Sequence, residues 1–76
     1  LSQRTRKQMI KILQILDKEG VLSNVKISEK ADVPYGTVRC YTSFMNQSGL
    51  IRHHKDMRGI FELTQEGRDY LRRKEG

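Results

Sequence analysis

A chain of 76 residues is one domain's worth of polypeptide, near the lower limit for a single hydrophobic core. Its 15 Lys and Arg against 9 Asp and Glu leave a formal charge of +6, which points to a polyanionic partner, nucleic acid before an anionic membrane surface. The single cysteine, Cys40, excludes an intrachain disulfide and a cysteine-based zinc motif, and no apolar run approaches the roughly 18 residues a bilayer crossing needs.

Between residues 5 and 18, Met9, Ile12, Leu13 and Leu16 fall at i, i+3, i+4 and i+7, one face of a helix, and Ile10 and Ile15 widen the stripe. Ser2 or Thr5 is placed to cap this helix and Gly20 to end it. Residues 1–16 of the chain hold Arg4, Arg6, Lys7 and Lys11 and no acid. From 21 to 33 the preferred reading is one helix capped at Ser23, with Ile27 and Ala31 a turn apart on the core side. The alternative is a short strand over 25–27 followed by a helix capped at Ser28.

Pro34 suits the first position of a third helix, where its missing N–H costs nothing. There Val38, Tyr41 and Met45 recur at i, i+3 and i+7 as core, with Phe44 flanking, and Gly49 supplies the stop. The other side carries Tyr35, Thr37, Arg39, Cys40, Ser43 and Asn46, none acidic. No carboxylate occurs anywhere between Val33 and Lys55, as expected of a stretch that approaches phosphates. Residues 50–54 and 60–63 read as two strands, and the turn 55–59 puts Gly59 where a positive φ is needed. Thr64 then caps a last helix with Tyr70 and Leu71 inward, whose polar end at 72–75 is expected to fray.

The order helix, helix, helix, hairpin, helix resembles the winged helix-turn-helix family. The resemblance is carried by "KADVPYGTVRCY", by "GLI" opening the first strand, and by "FELTQEGRDYL" closing the domain. These fragments are similar to the small regulators of archaea and their plasmids and viruses. The resemblance implies an α+β, mostly α fold: three helices, a two-stranded β-hairpin wing and a C-terminal helix, in one domain over residues 1–76. It also implies that the third helix, 34–48, enters the major groove of double-stranded DNA, with Tyr35, Thr37, Arg39, Cys40 and Ser43 facing the duplex. Arg39 would then suit bidentate contact to guanine, and Thr37 and Ser43 contact to phosphate. In the wing, Lys55 and Arg58 at the tip and Arg52 along the strand would reach phosphates or the minor groove. Arg4, Arg6 and Lys7 would touch phosphate or form a mobile basic tail.

The expected role is a transcription regulator, a repressor by family habit, binding DNA as a homodimer with two chains per site. Compared with longer members the last helix is short, leaving little room for a C-terminal coiled-coil dimer arm. No cofactor, metal or small-molecule effector is expected. Without a signal-peptide pattern, the expected location is intracellular, with DNA. Two other classes remain: a winged helix used for protein docking, and nonspecific nucleic-acid binding. The first predicts an exposed apolar patch and no salt-dependent DNA affinity. RNA readers usually present stacking aromatics, and here only Tyr35 is a candidate. An enzyme is not expected. Cys40 with His53 or His54 lacks an orienting acid, and Gly36, Gly59 and Gly67 form no phosphate loop.

Overall fold

The computed structural model describes residues 2–75. The first helix, α1 (Gln3–Glu19), begins at Ser2, whose side chain accepts the Thr5 amide at 3.1 Å. It ends at Gly20, where a φ of +95° suits glycine and the amide donates to the Leu16 carbonyl at 2.8 Å. Its apolar stripe is buried as the spacing predicts, with Met9, Ile12, Leu13 and Leu16 all in the core. Because α1 starts so early, Arg4, Arg6 and Lys7 stand on ordered helical turns rather than on a loose tail.

Between α1 and the second helix the structure departs from the single expected helix. Val21–Ser23 forms a strand, β1, and α2 (Asn24–Ala31) follows with Ser23 as its N-cap. The expected cap and the buried pair Ile27 and Ala31 are found, but neither alternative reading included this strand. Its partners lie at the far end of the chain: Val21 pairs with Glu62, Leu22 with Phe61 and Ser23 with Ile60. Three residues are too few to show a period. The α2 helix closes with Asp32 in the left-handed region, φ +56°, a conformation Asp tolerates. Ser28 ties the turn that follows, its hydroxyl donating to the Val33 carbonyl at 2.6 Å.

The third helix, α3 (Tyr35–Gln47), has Pro34 as its N-cap, one position earlier than expected, with an extended ψ of 141°. Its buried residues are Val38, Thr42 and Met45, so Thr42 rather than Tyr41 fills the middle of the inward face. The Thr42 hydroxyl donates to Asn24 Oδ1 at 2.9 Å and so joins α3 to the start of α2. Tyr41 is half-buried instead, packing on the core's flank while its hydroxyl donates to Gln8 Oε1 of α1 at 2.6 Å. Phe44, expected beside the core, is 47% exposed.

Strands β2 (Ile51–His53) and β3 (Ile60–Leu63) form the hairpin, and β1 adds on the other side of β3. The expected two-stranded wing is therefore part of a three-stranded antiparallel sheet of order β1-β3-β2. Thr64 joins the hairpin to α4 (Gln65–Glu75). Its hydroxyl oxygen accepts the Gly67 amide at 3.0 Å, and it lies 2.6 Å from the Gly49 carbonyl. The last helix runs through Glu75, so the polar end at 72–75 is helical. Leu22, Phe61, Leu63, Ile51 and Leu71 close one cluster over the apolar faces of α1, α2 and α3. Each such side chain contributes about 1.5–3 kcal/mol on burial. No helix among the described residues is long and apolar enough to cross a membrane.

Candidate nucleic-acid interface

With Val38, Thr42 and Met45 turned inward, the 3.6-residue period turns the outer side of α3 to solvent. Gly36, Arg39, Cys40, Ser43, Phe44 and Gln47 line a shallow, open depression along that side. Of the five α3 residues expected to face a duplex, Arg39, Cys40 and Ser43 lie in it. Tyr35 stands at the helix start, 48% exposed, and Thr37 is half-buried. Gly36, Phe44 and Gln47 were not among the expected site residues. Gln47 was legible in principle, since it follows Cys40 by seven residues and Ser43 by four. Gly36 has no neighbour within 4 Å of where a Cβ would stand, so it keeps the surface low without being packed against anything.

The electrostatics of this face are simple. Arg39 is exposed and has no ion-pair partner among the described residues, and no acid stands on α3. Its guanidinium is free to meet an anion or a base edge. The Cys40 thiol is exposed and free.

The hairpin divides its basic residues between two states. Lys55 and Arg58 are exposed in the turn, without ion-pair partners among the described residues. Gly59 takes the positive φ expected of it, +75°. Arg52 differs: it sits directly across the ladder from Glu62 and is hydrogen-bonded to it through Nε. That hydrogen bond, with the charges of Arg52, His54 and Arg68, holds the Glu62 carboxyl below the usual glutamate range, against a smaller opposing effect of desolvation. Part of Arg52's charge is thus used within the wing. The two histidines have separate partners. His53 stacks on Phe61 with ring centroids 4.5 Å apart, whereas His54 Nδ1 accepts the Asp56 amide at 3.1 Å and Nε2 lies 3.9 Å from Glu62.

Adjoining this face through Phe44, which lines both, is a cleft lined also by Arg6 of α1 and Lys74 of α4. Arg4 and Lys7 are exposed on the same first turns of α1. Among the described residues no group of three or more His, Cys, Asp or Glu is arranged to hold a metal ion.

Comparison with known proteins agrees with this architecture. Residues 3–75 match the family model described as winged helix-turn-helix. Ligand-free NadR superposes with a TM-score of 0.74 at 18% identity, over 87% of this chain and 48% of that one, so the chain spans about half of NadR's length. The Zalpha domain of Cyprinid herpesvirus 3 ORF112, solved for its binding mode to Z-DNA, superposes with a TM-score of 0.69 at 20% identity, over 84% of this chain and 98% of that one. No curated protein matches the sequence. At these identities the solved structures speak for the fold alone. The family model covers nearly the whole chain, and with the helix order, the helix-turn-helix of α2 and α3 and the hairpin, the chain belongs to the winged helix-turn-helix family.

Proposed function

We propose that this chain is a sequence-specific binder of double-stranded DNA that regulates transcription inside the cell, acting as a repressor by occluding a promoter. The observation that carries the reading is the outer face of α3: solvent-facing, free of carboxylates, and holding the unpaired guanidinium of Arg39. In the major groove that guanidinium suits bidentate contact to guanine, while Ser43, Thr37 and Tyr35 suit phosphate or sugar. Gln47, one helical turn beyond Ser43, extends the reading face with an amide suited to adenine. Lys55 and Arg58 serve as the wing's phosphate contacts. Arg52 is a weaker one, because Glu62 already partners it. Arg4, Arg6 and Lys7, fixed on α1, add a further basic surface.

Two chains per site follow from the few base contacts one module offers, with half-sites about 34 Å apart. Selection of duplexes from a random pool, followed by stoichiometry on the recovered site, tests the reading. Arg39→Ala is expected to relax preference at one base pair and to cost about 1–3 kcal/mol there. Equal losses on selected and random duplexes would remove base readout. Because a neighbour of this fold binds Z-DNA, left-handed duplex belongs in the same assay as B-form. Tighter binding to the left-handed form would replace major-groove reading.

A further inference from the structure

On the far side of Phe44 from the α3 depression lies a second concavity, a cleft of about 310 Å³ where α1, α3 and α4 meet. Its floor includes Leu13 and Met45, 1% and 0% exposed, and Phe44 and Tyr70 stand at its walls. Arg6 and Lys74 line it from opposite ends of the described chain, and no carboxylate among the described residues does. Neither cation has an ion-pair partner among the described residues. The Lys74 ammonium lies 5.5 Å from the centroid of the Tyr70 ring, within cation–π reach, so it is held over the cleft wall rather than extended into solvent.

We propose that this cleft is a binding site for a small amphipathic anion, a carboxylate carrying an apolar body of about eight carbons, near the lower end of the usual pocket range. The apolar floor takes the body, and Arg6 and Lys74 take the head group. A second copy of the chain is a poorer occupant. Seated across a two-fold axis, it would bring Arg6 and Lys74 against the same cations of its partner. A free inorganic anion would leave the floor unfilled. The proposal does not rest on the DNA-binding reading, since none of these contacts requires a duplex, although Arg6 also belongs to the basic surface proposed on α1.

The test is an NMR titration of the whole chain with octanoate and with 3-phenylpropionate, using 1-octanol as the neutral control. Ligands of about ten heavy atoms fall in the millimolar to micromolar range. Saturable shifts are expected at the Leu13 and Met45 methyls, with octanol at least about ten-fold weaker. The double variant Arg6→Gln, Lys74→Gln lies on the surface and is expected to keep the melting temperature. It should weaken octanoate about ten-fold and leave octanol unchanged. Absence of saturable shifts with both carboxylates overturns the site. So does equal affinity for octanoate and octanol, which would leave a greasy cleft without anion recognition. A free protein that sediments as a dimer with intermolecular contacts at Leu13 and Met45 overturns it in favour of self-association.

Discussion

At the scale of single residues, Gly67 is the glycine with the least room among the described residues. A Cβ built there would stand 2.1 Å from the Leu50 carbonyl oxygen and 2.9 Å from Leu63 Cδ1. That carbonyl cannot easily yield, since it also accepts the Thr64 amide at 3.1 Å. Helix propensity favours Ala over Gly by about 1 kcal/mol. The clash outweighs it, so Gly67→Ala is expected to destabilise by about 1–3 kcal/mol net, read from the denaturant midpoint. A gain in stability would mean that α4 moves away from the β2 entry at no cost. Glu62 makes a second prediction. Its carboxyl titrates below the usual glutamate range because Arg52 favours the charged form. A carboxyl depressed on folding adds stability above its unfolded value and loses it as pH falls through the folded one. The hairpin should therefore hold at neutral pH and loosen only under acid conditions below the ordinary glutamate range. Carboxyl titration by NMR checks this, with Arg52→Ala raising the Glu62 midpoint; a Glu62 that titrates with ordinary glutamates would break the link. The sequence shows both residues, but their pairing depends on the β2–β3 register.

Elements were legible where local rules decide them and hidden where distant partners do. The α1 stripe, the Ser23 cap, the Gly59 turn and the Thr64 cap are local signals, and each is found where the sequence puts it. β1 is not local. Val21–Ser23 becomes a strand only by lying against β3, a pairing that no three-residue window contains. Thr42 was missed for a different reason. Its place in the core depends on a hydroxyl satisfied by Asn24, and an apolar pattern does not count polar residues. The outer face of α3 was mostly readable, because placing Val38 and Met45 inward fixes what lies opposite. The wing yields a prediction at this scale. Lys55→Ala with Arg58→Ala should weaken all duplex binding and flatten the salt dependence by about 0.9 per lost phosphate contact, measured by titrating affinity against salt. An unchanged slope would place the turn away from the backbone and leave phosphate contact to α3 and α1.

For the whole molecule, the side chain that links the two proposed sites is one the sequence pattern left at the flank of the α3 apolar stripe. Phe44 forms part of the wall of both the α3 depression and the α1–α3–α4 cleft. It became legible only once three elements from separate parts of the chain had been assembled. A domain of 31 × 26 × 21 Å leaves little distance between a ligand beneath Phe44 and a duplex above it. An anion seated beside Arg6 and Lys74 also cancels basic charge close to the proposed interface. Both effects point the same way, so saturating octanoate is expected to weaken affinity for a selected duplex several-fold. Linkage then requires the duplex to weaken octanoate by the same factor. Measuring both arms separates the possible failures. If the cleft fills and duplex affinity is unmoved, the two sites are energetically separate. If octanoate binds and no duplex does, the nucleic-acid reading falls while the cleft stands. Phe44→Ala then distinguishes contact from charge, because it removes the shared wall and leaves both cations in place. Coupling carried by packing should vanish in that variant, whereas coupling carried by charge should persist and fade as salt screens it.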